Sequence, residues 1–404
     1  MRSVLIKTTA LTLLSSSLLL ASGWRIPEQS ANSVALSGAY IANASGADSS
    51  YNNPANMSFN EDKHQAELSL MYIHLTSIEY KDNRSPLYNS DSKKENFIVP
   101  TTFLTSKDYD GIRYGLSITA PGGLSKRWDE AYAKTYAEEF TLEIVELNPV
   151  VSYLISDNLS IAGGLRFIYS NGVVKSDGGT TSPIKRDMEG NTIEYGYNLA
   201  LSYRPTSDIK LAATYRSNID LGEEGNAKLY LSGSKVYDGG SSVSVPLPAV
   251  LSLAVSYDVG DTTLELEYDK TYWSEYKTLD FEYDSTVPLA LQTYFDAPKA
   301  KDWIDTDAFR LGLTHKYSNE VTLMAGIAID ENPAQKAYTS FELPDSDAML
   351  YSFGFNYKID ETSTFGFAYL YDKKESIDIK NDHIDGTFSN ATAHLLSMAY
   401  RVDF

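Results

Sequence analysis

The residues of this chain that could do chemistry are few, and their spacing argues against catalysis. Cys is absent, which removes disulfide scaffolds, thiolate zinc sites and cysteine nucleophiles. The five His (His64, His74, His315, His383 and His394) have no ligand-like spacing, so neither a metal nor a cofactor is expected. No Gly-x-Ser-x-Gly, His-Glu-x-x-His or phosphate loop occurs, and no nucleophile is clustered with a base, so an enzyme is not expected. With 34 basic and 54 acidic residues the net charge is −20, which excludes a nucleic-acid binder needing a basic face. What remains is a set of polar residues within alternating segments: Arg113, Glu146, Asn148, Arg166, Arg204, Glu265, Glu267, Arg310 and Arg401. Turned towards a lumen, Arg166 or Arg310 could pair with a substrate carboxylate. The other reading is a lining of mutually compensating charges around water.

The elements that position these residues read as strands. Leu264, Leu266 and Tyr268 alternate with Thr263, Glu265, Glu267 and Asp269, and Met349 to Lys358 alternates in the same way. Period two means strands with one apolar face. Connection lengths place them in a membrane. Short polar turns at residues 107–110, 156–158, 205–208, 258–261, 318–320 and 360–363 alternate with long polar stretches at 77–95, 172–192, 222–244, 270–306, 330–347 and 372–391. That asymmetry is expected of an outer-membrane barrel. Six hairpins plus strands near 66–76 and 393–404 predict an all-β membrane protein, a 14-stranded antiparallel transmembrane β-barrel with both termini periplasmic.

Tyr supports this reading. It numbers 30 against 15 Phe. Tyr153, Tyr203, Tyr257, Tyr317, Tyr357 and Tyr400 fall beside the short turns, and Tyr169, Tyr215, Tyr268 and Tyr369 lie about ten residues further on. At ~3.3 Å per residue and a tilt near 40° the two rows stand roughly 25 Å apart, as aromatic girdles would. The last strand carries Leu396, Met398, Tyr400, Val402 and Phe404 on one face, a pattern similar to the signal read by barrel assembly machinery.

Residues 1–23 read as a signal peptide, with Arg2 and Lys7 before a short apolar run and small residues at its end. Residues 24–62 lack alternation, carry little charge, and hold Trp24, Ile26, Val34, Leu36, Tyr40, Tyr51 and Phe59. They are expected to fold into the lumen as a plug, leaving 63–404 as the barrel. In the third strand alternation stops at Ala120-Pro121-Gly122-Gly123. Pro removes a ladder donor and Gly admits a bulge, so the strand either ends or kinks there.

The motifs SGAYIANASGADSSYNNPA (37–55), YGLSITAPGGL (114–124), TYRSNIDL (214–221), LPAVLSLAVSY (247–257), TYWSEYKTL (271–279), DAFRLGL (307–313) and GIAIDENPA (326–334), in this order, resemble the FadL/TodX-type long-chain fatty acid and hydrophobic-compound transporters. The resemblance covers essentially the whole mature chain. It implies a 14-stranded barrel with an N-terminal hatch bearing Asn53, Pro54 and Ala55. It also implies passive uptake of hydrophobic small molecules, fatty acids or hydrocarbons, with a lateral exit at Pro121, Gly122 and Gly123. Partners around Asn53 are expected for the groups freed there. One departure is the polar 172–192 stretch, which offers no apolar capture helix; the apolar loop is instead Val287, Leu289, Ala290, Leu291, Tyr294 and Phe295. Outer-membrane lipid and lipopolysaccharide would surround the barrel, and the acidic excess reads as solvated outer loops and turns, with divalent-cation bridging to lipopolysaccharide as the alternative. A general diffusion porin and an adhesin are the competing readings.

Overall fold

The computed structural model describes residues 23–179 and 182–404. The expected signal peptide, apart from Gly23, lies outside the described residues. Fourteen antiparallel strands form a closed barrel. They are β1 (Gln65–Leu75), β2 (Glu95–Thr105), β3 in two pieces (Ile112–Thr119 and Gly123–Arg127), β4 (Glu139–Ser156), β5 (Leu159–Asp177) and β6 (Ile184–Tyr203). There follow β7 (Ile209–Arg216 and Ile219–Leu231), β8 (Ser234–Leu247 and Ala249–Val259), β9 (Thr262–Tyr272) and β10 (Thr306–Lys316). The last four are β11 (Val321–Asp330), β12 (Ala348–Lys358), β13 (Ser363–Lys374) and β14 (Thr392–Asp403). Closure comes from β1, which pairs with both β14 and β2, Gln65 opposite Asp403 and Leu75 opposite Ala393.

Side-chain exposure is inverted relative to a water-soluble sandwich. On β9 the carboxylates Glu265 and Glu267 are 3% and 6% exposed, whereas Leu264 and Leu266 are 41% and 58% exposed. Such a surface is stable only where the outer solvent is lipid, and a closed ladder leaves no unpaired edge within it. Every Tyr expected beside a short turn is outward and exposed, from Tyr153 to Tyr400. Among the described residues no helix is long and apolar enough to cross a membrane.

Several long connections depart from the sequence reading. The stretches 172–192 and 222–244 are not loops: β5 and β6 stay paired out to Asp177 opposite Lys185, and β7 and β8 out to Leu231 opposite Ser234. Residues 77–95 and 372–391 contain a small sheet of Glu79–Asp82, Ser90–Asp91, Ile377–Lys380 and Asp385–Ser389. It packs Tyr80 and Phe388 against the buried Trp128 and Phe341. Beyond the bilayer both faces of a strand can be wet or packed, so the period-two signature fades there. In the apolar loop, Val287, Leu291 and Phe295 are buried while Leu289 and Tyr294 are exposed.

Candidate functional site

The segment following Gly23 is almost wholly buried against inner wall residues. It forms α1 (Ala31–Ala35), begun by a Ser30/Ser33 capping box, α2 (Ser49–Asn52), and a 3-10 turn Pro54–Phe59. Helix α1 packs on β11 to β14, α2 on β2 and β3, and the turn on β3 to β6. Seven of the nine expected lumen residues are buried, and Arg204 and Arg401 are partly so. Many of them bind the segment. Arg113 donates to the carbonyls of Asn60 and Glu61 at 2.8 Å each. Glu265 accepts the backbone N–H of Ile41, Ala42 and Asn43 at 2.7, 2.7 and 2.8 Å. Glu267 accepts from Tyr40, and Arg204 lies 3.9 Å over the Phe59 ring. A carboxylate meeting three N–H groups is a strong, charge-assisted clamp.

Asn53, Pro54 and Ala55 are part of this clamping. The Asn53 side chain accepts from the Ala55 N–H at 3.1 Å and donates to the Ile41 carbonyl and the Ser202 hydroxyl. Pro54 borders a narrow, partly open cleft, together with Ile26, Tyr51, Pro121, Arg166 and Leu247.

Neither arginine singled out for a substrate is free. Arg310 is fully buried and engages Asp269 at 3.1 Å, Asp330 at 3.2 Å, Glu28 at 3.4 Å and the Ser37 carbonyl at 2.9 Å. Gly38 beside it has φ +86°, and a β-carbon there would stand 2.9 Å from Arg310 Nη1. Arg166 is held by Glu146 at 3.0 Å and by the Ser217 carbonyl at 2.7 Å, and Arg216 binds the other oxygen of Glu146. Both arginines therefore serve as internal braces. Arg166 takes its acid from the neighbouring strand β4, and Arg310 takes its three from separate parts of the chain, which no local pattern announces.

The break in the third strand is where the wall differs from a plain barrel. Ala120, Pro121 and Gly122 bulge opposite only Ile144 and Val145 of β4. On the other side the ladder to β2 stops at Thr102 opposite Ile118, and the next backbone bond is Lys93 N–H to the Arg127 carbonyl. The freed groups are satisfied from inside, though not by residues around Asn53 as the sequence suggested. The Gly123 N–H donates to the Trp24 carbonyl at 2.8 Å, and the Ile26 N–H to the Pro121 carbonyl at 2.9 Å. Gln29 exchanges two bonds with the Ala120 backbone, at 2.8 and 2.9 Å. Trp24 anchors this strap by donating from Nε1 to the Pro246 carbonyl and by edge contacts with Trp273 and Tyr276. The large, apolar Trp24 next to Gly23 was the visible hint of this role.

Comparison with known proteins agrees with this architecture. The family model "Outer membrane protein transport protein (OMPP1/FadL/TodX)" matches residues 12–404. The long-chain fatty acid transport protein of Escherichia coli O6:H1 is 23% identical over 321 residues, 68% of this chain and 70% of that protein. Outer membrane protein P1 of Haemophilus influenzae is 21% identical over 340 residues, covering 75% and 72%. Among solved structures, a Pseudomonas aeruginosa FadL homologue shares the fold with a TM-score of 0.84 at 19% identity, over 95% of this chain and all of that one. The Pseudomonas putida toluene transporter TodX does so at 0.73 and 17%, over 93% and 98%. The chain belongs to the OMPP1/FadL/TodX family of outer-membrane transporters of hydrophobic compounds, and it is a β-barrel transport protein rather than an enzyme.

Proposed function

We propose that this barrel carries hydrophobic molecules passively inward across the outer membrane, long-chain fatty acids first among them, and releases them sideways at the break in β3. The long-loop end faces outward and both termini face the periplasm. The observation that carries the reading is the lapse of pairing between β2 and β3, covered only by the strap from Trp24 to Gln29. A path through it spares an apolar tail from water. At about 0.8 kcal/mol per CH₂, a tail of about 15 methylenes gains about 12 kcal/mol by staying out of water. The cleft bordered by Ile26 and Pro121 meets the strap, so cargo lying there would compete with it for the same space. Residues 24–62 act as the plug that keeps the lumen from leaking. The fatty-acid assignment follows the named activity of the Escherichia coli relative. Toluene transport by the protein that shares the fold keeps aromatic hydrocarbons as the second cargo class.

The test is Gly123→Phe, scored by uptake of labelled hexadecanoate into cells and by binding to purified protein. Uptake should fall to background while heat-modifiable mobility and binding persist. Undiminished uptake by the folded variant would exclude the exit at β3.

A further inference from the structure

Two of the five histidines, from near opposite ends of the chain, meet on the outward face of the barrel. His74 of β1 stands directly opposite His394 of β14, in the strand pair that closes the barrel. Asn96 of β2 lies opposite His74 on its other side, and Tyr371 of β13 opposite His394, so the four form one row across four strands. The outward neighbours nearer the short turns, Tyr72 on β1 and Met398 on β14, are exposed as a lipid-facing surface should be. Tyr371 lies two residues beyond Tyr369 towards the long connections, which puts the row at the edge of the hydrocarbon. Both histidines are half-buried there, and neither is enclosed.

Both rings are already oriented. His74 Nδ1 meets Asn96 Oδ1 at 2.8 Å, and the same oxygen accepts from the Tyr72 hydroxyl at 2.6 Å. An amide oxygen only accepts, so His74 carries its proton on Nδ1 and presents the lone pair of Nε2. His394 Nδ1 meets the Tyr369 hydroxyl at 2.8 Å. A phenol oxygen accepts as well as donates, so His394 can adopt the same tautomer. A ring fixed by an oxygen through one nitrogen, with the other nitrogen left over, is how metal-binding histidines are held. The two ring centres are 5.9 Å apart, with planes inclined at 40°. An ion about 2.1 Å from each Nε2 sets the ring centres about 5–6 Å apart.

We propose that His74 and His394 form a binding site for a divalent transition-metal ion, which staples the first strand to the last at the long-loop end of the closing seam. Paired imidazoles suit Cu²⁺, Ni²⁺ and Zn²⁺, with Cu²⁺ held most tightly and water completing the coordination. No carboxylate stands in the row, which disfavours Ca²⁺ and Mg²⁺. Asn96 is a positioning residue that fixes the His74 tautomer. The site is independent of what the barrel carries. The expectation of no metal, drawn from histidine spacing, missed the pair because only closure of the barrel brings it together.

The test uses the untagged full chain, stripped with chelator, in nanodiscs of neutral lipid at pH 7.5, with Cu²⁺ as the probe. Wild type should bind one Cu²⁺ whose electron paramagnetic resonance spectrum shows two imidazole nitrogens. The temperature at which heat-modifiable mobility is lost should rise with added Cu²⁺, because an ion bound only by the closed seam favours the folded state. Asn96→Ala should weaken binding by about tenfold with both nitrogens retained, the usual cost of losing an outer partner. His74→Ala and His394→Ala should each weaken it further and abolish the temperature rise. His383→Ala, in the small outer sheet region, is the control and should change neither reading. Mobility without metal shows that each variant is folded. Wild-type binding in either His74→Ala or His394→Ala overturns the site, as does a one-nitrogen spectrum in wild type or an equal loss in His383→Ala. Binding through both histidines with no rise in temperature overturns the staple, and wild-type affinity in Asn96→Ala overturns the positioning role.

Discussion

Gly122→Ala isolates the strap that covers the break in β3. A β-carbon at Gly122 would stand 2.8 Å from the Trp24 carbonyl oxygen, 3.1 Å from Ile144 Cδ1 and 3.3 Å from Leu247 Cδ1. The first contact is too close and falls on backbone, so the strap must move rather than a side-chain tip. That carbonyl is the acceptor for the Gly123 N–H, and the next rung is Ile26 N–H to the Pro121 carbonyl. Losing both, at about 1 kcal/mol each, costs the closed state about 2 kcal/mol, or about a 30-fold shift towards the open one. The Trp24 indole reports it, because its ring centre lies 4.8 Å from those of Trp273, edge-on, and Trp303, tilted, and its exciton signal depends on that geometry. Expected results are a weaker near-ultraviolet dichroism and about 30-fold faster amide exchange at Gly123 and Ile26. Gly163→Ala is the control, since its β-carbon would meet nothing nearer than 3.6 Å. If Gly122→Ala exchanges at the wild-type rate with unchanged dichroism, the two rungs are not what holds the strap, and the reasoning fails.

Arg310→Met should destabilise the packed N-terminal segment by about 3–5 kcal/mol, because Asp269 and Glu28 would stay buried without their shared partner; protease cleavage within residues 24–62 of the folded barrel would reveal it. Deleting residues 30–56 should leave a foldable barrel, whose ladder starts at Gln65, with raised conductance in planar bilayers; conductance equal to the full chain would mean that the segment does not obstruct the lumen. Phe404→Asp should lower the amount of barrel assembled in the outer membrane, since Phe404 continues the β14 edge by pairing with His64 and is 71% exposed; unchanged surface labelling would count against a recognition role. In the long-loop region, burial alone would raise the Glu342 carboxyl, but Lys301 and Lys299 outweigh it and hold it down to about 2 from an ordinary 4.5. Its folded value lies below its unfolded one, so its contribution is complete above pH 4.5 and is lost as pH falls from 4.5 towards 2; amide exchange in the 335–345 stretch should quicken across that window, and Glu342→Gln should abolish the dependence.

Within the bilayer the sequence by itself determined nearly everything about the wall. Lipid on one side and a polar lumen on the other force the alternation of Leu264, Leu266 and Tyr268 with Glu265, Glu267 and Asp269, and every short turn breaks that alternation visibly. The inward direction of Arg113, Glu265 and Arg310 followed from the same parity. Outside the bilayer the constraint disappears, and so did the signal: residues 172–177 of β5 and 184–191 of β6 pair without a lipid face, and read as loop. Tertiary structure alone decided what the inward charges hold. Arg310 is braced by Glu28, Asp269 and Asp330, drawn from three separate parts of the chain, and nothing local distinguishes it from Arg186, which has no such brace. Only the fold brings Trp24 and Ile26 to Pro121 and Gly123, nearly a hundred residues away, because the freed backbone groups take whichever partner the packed segment presents. A local pattern can say that a strand must break at Pro121, but the partner at the break is set by how the whole N-terminal segment fills the barrel.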